Sequence, residues 1–336
     1  MTLWVNCFAH FLVDGVCAAA IFGALGQDMD LMLAALIYNT LAFSTQGLVG
    51  LLTDRLRRQE YVTALSCVAV ILGYALPLPG LLRVILIGAG NSVFHVGGGT
   101  MTLLESDGKA YKLGLFVAPG CLGLTLGTLY PWMGAVFSAA LFVCAVLLVT
   151  YARPDPRMYE RAMESTRLTR TSMWIPVLLL VAVAVRAVGG VAVSFPWKTT
   201  AGLGIVMTAF VFLGKALGGY ACDRFGAKWT AIITVPLAAV LIAFGSQWMI
   251  PSLLGQLFLN LTMPVTLYLI YRALPDQPGF AFGLAASALW PGTIAGNLLQ
   301  LTGPLLWACV LACFGMSMVS ILVAYRKLNS QPNHTF

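Results

Sequence analysis

Nineteen Lys and Arg and twelve Asp and Glu are the only formal charges in 336 residues, and nearly all of them fall between long apolar runs rather than along them. An ordinary soluble domain carries about 25% charged residues; here the share is 9%, against 60% apolar. Charged side chains belong at the water boundary, so a chain this poor in them turns most of its surface to lipid. A membrane-spanning helix takes roughly 20 apolar residues, and twelve such spans with their connections fill the length with almost no room for an extramembrane domain. The formal charge of +7 would suit a nucleic-acid partner only as a clustered basic face. The basic residues are instead scattered between apolar runs, so no nucleic acid is expected.

Charged clusters and Pro/Gly pairs break the apolar runs into spans near 3–25, 31–52, 61–79, 81–104, 113–131 and 132–152. After a polar stretch from Arg153 to Ser172, further spans follow near 174–197, 201–222, 230–250, 251–271, 280–300 and 303–325. The chain therefore reads as an all-α integral membrane protein, with one six-helix bundle over 1–152, a linker over 153–173, a second bundle over 174–327 and a tail over 328–336. The first run starts at Leu3 with no basic residue before it and is about 23 residues long, too long for a signal-peptide core, so it reads as a retained span. The eight cysteines lie in or beside apolar runs with no Cys-x-x-Cys pair, which suits packing between helices better than disulfides or zinc. Basic residues of short loops stay on the cytoplasmic side. Fifteen of the 19 lie in the even-numbered connections and the tail, the opposite loops hold only Arg83 and Lys198, and Arg186 and Lys215 fall within spans. Both termini are expected in the cytoplasm.

A single offset of 169 residues pairs the two halves. It aligns Gly50 with Gly219, Asp54 with Asp223, Arg55 with Arg224, Asn91 with Asn260, Gly114 with Gly283, Gly123 with Gly292 and Gly127 with Gly296. These matches fall in three corresponding helix pairs without a gap, as a duplicated bundle would give.

The stretch from Gly50 through Asp54 and Arg55 to Arg58, and its partner from Gly219 through Asp223 and Arg224 to Lys228, resemble the loop signature of the major facilitator superfamily. Gly at such a position lets two helices approach closely, and Asp can take hydrogen bonds from helix-end amides. In that family the loop latches the cytoplasmic gate, which implies gate roles for Gly50, Asp54, Arg55, Arg58, Gly219, Asp223 and Arg224. The first copy places Leu56 where Gly is usual, so a looser turn is expected there. His10-Phe-Leu-Val-Asp14-Gly, Gly88 to His95 and the Gly120, Gly123, Gly127 series further resemble the fosmidomycin-resistance branch of exporters, although Val96 follows His95 where that branch has Pro. Span 5 also carries a partial form of an antiporter signature. The resemblance implies two six-helix bundles, a cavity lined by helices 1, 4, 7 and 10, and alternating access.

Of the twelve acidic residues only Asp14 falls in the middle of a span. A carboxylate at that depth must be paired, protonated or open to a watery cavity. His10 lies four residues earlier, on the same helical face, and the pair can share a proton or simply fix helix 1. Arg186, mid-span in helix 7, stays charged and needs an anion, for which Asp14, helix-end carbonyls and the solute are candidates. Asn91 and His95, again four apart, put a polar face on helix 4, and Gly97 to Gly99 make that helix pliable or close-packed. Lys215 lies about 12 Å along the helix from Asp223, at 1.5 Å per residue, and snorkels to the cytoplasmic surface, contacts the gate or points into the inner half of the cavity. Asn260 and Tyr268 are candidate cavity-wall residues in helix 10. Counting Arg186 and Lys215 against Asp14, the cavity favours an anionic or zwitterionic solute.

These readings converge on a secondary transporter of the bacterial inner membrane, proton-coupled and of antiporter or efflux type, with no cofactor and no metal. The expected partners are a small-molecule solute, protons and membrane lipid, with the chain acting as a monomer. No phosphate-binding loop of the Gly-x-x-x-x-Gly-Lys-[Ser/Thr] kind is present to support an ATP-driven pump. Two other classes stay open: a transport-dead receptor or scaffold, which would bind without flux, and a membrane-embedded enzyme, which would need a nucleophile or metal near His10, Asp14 and His95.

Overall fold

The structure, a computed structural model, describes residues 1–23, 25–152 and 173–330. The expected linker from 153 to 172 and the end of the tail, 331–336, lie outside the described residues. Every described element is helical. The main helices are, in chain order, α1 Thr2–Phe22, α2 Leu31–Asn39, α3 Gln46–Leu56, α4 Gln59–Ala75, α5 Gly80–Leu104, α6 Tyr111–Val117, α7 Pro119–Leu129 and α8 Gly134–Tyr151. There follow α9 Trp174–Val191, α10 Ala201–Gly245, α11 Met249–Ala273, α12 Pro278–Ser287, α13 Leu289–Leu298 and α14 Gly303–Asn329.

Eight of the described helices are long and apolar enough to cross a membrane, or nine when α2 and α3, bent by 43° at their junction, count as one span. The remaining spans follow from local breaks. At 45 residues α10 would run about 67 Å at 1.5 Å per residue, more than twice a hydrocarbon core of roughly 30 Å. Gly226 divides it, with a φ of 83° and a ψ of 151° that an L side chain resists. Span 5, already among the eight as Tyr111–Leu129, is broken at Pro119 into α6 and α7, and a break at Ala288 divides α12 from α13. Helix α4 is a shorter apolar helix of 17 residues. All twelve predicted spans are thus occupied by helix.

The described residues form two compact units that exchange short segments. The first holds Met1–Glu105, residues 116–152 and Gln277–Ser287; the second holds Ser106–Leu115, residues 173–276 and residues 288–330. Within the first unit α7 packs on α1 through glycine. Side chains at Gly123 and Gly127 would collide with the carbonyls of Phe11 and Gly15. The second unit repeats the device: Gly292 and Gly296 of α13 abut the carbonyls of Ala184 and Val188 in α9. In each pair, two glycines four residues apart meet two carbonyls four residues apart, the close approach that small residues permit between membrane helices. Gly97, Gly98 and Gly99 of α5 act as close packers, not as a hinge. Their α-carbons lie against Thr63, Phe116 and Phe282, and the helix runs unbroken for 25 residues.

Two sequence expectations change. Arg83, expected in an outer loop, lies inside α5 and is buried. It donates to Asp28 at 2.9 Å and to the carbonyls of Gly73 and Tyr74 at the end of α4, so a charge read from its loop position is a tie between helix ends. The left-handed residue after Asp54 is Arg57, with a φ of 52°, rather than Leu56. Arg57 aligns with Gly226 at the 169-residue offset. Its amide donates to the Thr53 carbonyl and closes α3. None of the eight cysteines is in a disulfide, and five of them are buried.

Candidate functional site

Three residues of α1, spaced by four, make one polar stripe: Asn6, His10 and Asp14. Sequence reasoning found the last two. Opposite them in the first unit stand Asn91 and His95 of α5, also spaced by four, so one face of each helix meets the other. Asn91 Nδ2 donates to Asp14 Oδ1 at 2.8 Å. His10 Nε2 lies 3.4 Å from Asp14 Oδ2, and His95 Nε2 lies 3.8 Å from Asp14 Oδ1. The two imidazoles touch edge to face, with centroids 4.5 Å apart.

The tautomers follow from the other ring nitrogens. His10 Nδ1 sits 2.6 Å from the carbonyl oxygen of Phe116, and His95 Nδ1 sits 2.9 Å from that of Asn91. A backbone carbonyl only accepts, so each Nδ1 carries hydrogen and donates. Both rings therefore turn their Nε2 toward a single carboxylate. When the rings are neutral those Nε2 atoms are lone pairs, and the carboxylate takes its hydrogen bond from Asn91 Nδ2. The Phe116 carbonyl reaches His10 from the last turn of α6, beside the Pro119 break, where the helix ladder is interrupted. Gly120, one residue after that proline, completes the fit: any side chain there would collide with His10 Nε2 and Asp14 Oδ2.

Asn6 was not singled out by sequence. It is 1% exposed, and neither its Nδ2 nor its Oδ1 has a hydrogen-bond partner in the structure. Its spacing from His10 was the available signal. An unsatisfied buried amide costs about 1–3 kcal/mol, which marks the stripe as more than packing.

In the second unit Arg186 is buried in α9. Its Nη1 donates to Thr262 Oγ1 at 2.7 Å and to the Thr262 carbonyl at 3.3 Å, and its Nη2 donates to Thr266 Oγ1 at 3.2 Å. Each threonine hydroxyl passes its own proton to a carbonyl of α11, Leu259 at 2.7 Å and Met263 at 2.9 Å. Among the described residues Arg186 forms no ion pair with a carboxylate, so its charge is held by neutral dipoles alone. Thr262 and Thr266 were missed by sequence, although their spacing around Pro264, which leaves a carbonyl of α11 without its helical donor, was visible. The other expected wall residues have partners within their own helix. Asn260 donates to the Gln256 carbonyl at 2.8 Å within its own helix, and Tyr268 lies under the Arg272 guanidinium, 5.8 Å from ring centroid to Cζ.

The loop signatures occupy equivalent positions in the two units. Asp54 accepts from the amides of Gly279 and Phe280, both at 2.8 Å, in the first turn of α12. Asp223 accepts from the amides of Ala110 and Tyr111, at 2.7 and 2.9 Å, where α6 begins. Both pairs of amides are related by the same 169 residues as the two aspartates. A carboxylate suits a helix N-terminus, and Gly50 and Gly219 allow the approach, since side chains there would strike the carbonyls of Gly279 and Ala110. Arg55, Arg58 and Arg224 are exposed; Arg58 faces Glu60 at 3.9 Å, and Arg224 lies over Phe225. Lys215 is half-buried, and its carbonyl meets Gly114.

No family model matches the sequence, and no curated protein matches it. Solved structures match over nearly the whole chain. The E. coli fucose:proton symporter FucP superposes with a TM-score of 0.64 at 13% identity, covering 96% of this chain and 98% of that one. A structure of FucP in the outward conformation gives 0.63 at 14% identity, over 96% and 98%. The human organic anion transporter MFSD10 gives 0.65 at 14% identity, over 97% and 98%. This chain is an all-α membrane protein with the fold of the major facilitator superfamily transporters.

Proposed function

We propose that the chain is a secondary active transporter, and not an enzyme, that moves a small anionic or zwitterionic organic solute across the bacterial inner membrane. Two six-helix bundles, 1–152 and 174–327, give the solute alternating access, with Asp14 and His10 the charged groups of one bundle and Arg186 that of the other. Protons couple through Asp14 and His10. Both termini lie in the cytoplasm, and the chain works as a monomer in contact with lipid, solute and protons. Export is the direction favoured by the resemblance to the fosmidomycin-resistance branch.

The observation that carries this reading is the Asp14 carboxylate in mid-span, faced by the Nε2 atoms of His10 and His95. A group so placed is neutral overall only when a proton is added, and adding or removing that proton changes which hydrogen bonds α1 and α5 can make. That gives a proton gradient a handle on helix packing. Asn91 and His95 share the site and serve as solute contacts as well as props for Asp14. Arg186, buried on threonine hydroxyls, supplies a permanent cation for a carboxylate, phosphonate or phosphate; Asn260 and Tyr268 are wall residues of the same helix as those threonines. Asp54 and Asp223, with Gly50, Gly219, Arg55, Arg58, Arg224 and Lys215, form the two cytoplasmic latches. The similar structures include a fucose:proton symporter and an organic anion transporter, and each supports one half of the reading.

A thermal-shift panel of organic acids, phosphonates and lipophilic cations on the purified protein tests the solute class, because a ligand that binds the native state raises its apparent stability. Acids or phosphonates are expected to raise the melting temperature of the wild type, and Arg186→Ala is expected to abolish that rise. A rise confined to lipophilic cations, or an acid-induced rise that survives in both Arg186→Ala and Arg186→Lys, overturns it.

A further inference from the structure

We infer that His10, Asp14 and His95 form a binding site for a divalent first-row transition-metal cation, which takes the place of protons at the head of the α1–α5 polar stripe. The inference rests on the placement of Asp14 between the histidines, as the proton reading does, but on a different property of it: the geometry of the donor atoms.

Two imidazole nitrogens and one carboxylate oxygen lie within 4.8 Å of one another. Metal–nitrogen and metal–oxygen bonds of about 2.0–2.2 Å place two donors of a tetrahedral ion roughly 3.4 Å apart, so side-chain movements of up to about 1.4 Å gather the set. The donor chemistry selects the ion. Two imidazoles with one carboxylate suit Zn²⁺, Fe²⁺, Co²⁺ or Mn²⁺, whereas Ca²⁺ and Mg²⁺ prefer all-oxygen sites. The supporting contacts are those a metal site needs. A ligating histidine donates its other ring N–H to a backbone carbonyl, which fixes ring and tautomer with the ligating nitrogen forward; His10 does so to Phe116 and His95 to Asn91. Asp14 is likewise held at Oδ1 by Asn91, which leaves Oδ2 toward His10. Side-chain exposures of 5%, 17% and 14% for His10, Asp14 and His95 leave Asp14 and His95 in part accessible. Three protein ligands with open positions make a site that exchanges its ion. Any proton on Nε2 or on the carboxylate leaves as the metal enters, so metal and proton compete for one set of atoms.

The test is Co²⁺ binding to the full chain, purified in detergent with any affinity tag removed, followed by the visible absorption of the bound ion. One Co²⁺ per chain, displaced by Zn²⁺, is expected. The affinity is expected to fall tenfold or more in His10→Gln and in His95→Gln and to be unchanged in His334→Gln, a histidine of the tail. Stoichiometric binding that both substitutions leave intact, or no stoichiometric binding, overturns the inference. X-ray absorption of the Zn²⁺-loaded wild type gives a readout that does not depend on any variant's folding: a first shell with two imidazoles and oxygen is expected, and a shell with sulfur or without imidazole contradicts it. The proton reading is judged separately, by pH-driven flux in metal-free buffer with chelator. That flux can persist when Co²⁺ does not bind and can fail when it does.

Discussion

At the scale of single residues, the candidate site depends on groups that carry little freedom of their own. His10 and His95 are each pinned by one carbonyl, Asp14 by Asn91, and the space between α7 and this cluster is set by the missing side chain of Gly120. Gly120→Ala is therefore expected to push His10 and Asp14 apart and to reduce transport at least tenfold while leaving helix content unchanged by circular dichroism. Asn6→Leu tests the buried amide one turn before His10. Removing two unsatisfied polar atoms is expected to stabilise the protein by about 1–3 kcal/mol, read as a raised melting temperature, and to slow pH-driven transport; faster or unchanged transport would make Asn6 a packing residue. Arg57→Gly is expected to stabilise by roughly 1–2 kcal/mol, since it relieves a left-handed backbone at a residue with a Cβ. His10, Asp14, Asn91 and His95 were readable in the sequence because charge is so rare in the spans and the residues repeat every four positions. The Phe116 carbonyl was not, because the sequence does not say which backbone group a ring will meet. Nor were Thr262 and Thr266, since threonine is common in membrane helices as a donor to its own helix.

Among the elements, the twelve spans were legible from hydropathy, and their internal breaks partly so. Pro119 explains the division of α6 from α7, and Gly226 divides a helix that would otherwise overrun the bilayer twice. What the sequence could not place is which helix end each loop aspartate holds. The pattern Gly-x-x-x-Asp-Arg at two positions was legible as a repeated motif; only the folded chain brings Asp54 to the start of α12 and Asp223 to the start of α6. A helix-capping side chain contributes about 0.5–2 kcal/mol. Asp54→Ala is expected to speed hydrogen exchange at the amides of Gly279 and Phe280 several-fold, and Asp223→Ala to do the same at Ala110 and Tyr111. Protection unchanged at those amides would show that the carboxylates do not hold the helix ends in solution.

For the molecule as a whole, the repeat is the feature that ties sequence to structure. The 169-residue offset, read first from matching glycines and aspartates, reappears in the amides that the two aspartates cap and in the glycine contacts of Gly114 and Gly283, which meet the carbonyls of Lys215 and Gln46. The units are alike in scaffold and different in chemistry: one holds a carboxylate between imidazoles, the other a guanidinium on threonines. That difference suits a carrier in which protons act on one bundle and an anionic solute on the other. The most direct measurement is flux in proteoliposomes under an imposed pH gradient, using the organic anion with the largest thermal shift, for the wild type and Asp14→Asn in metal-free buffer. Flux that follows the gradient in the wild type is expected to become independent of it in Asp14→Asn, while solute binding is retained. Gradient-driven flux at the wild-type rate in Asp14→Asn would contradict a proton carried on Asp14.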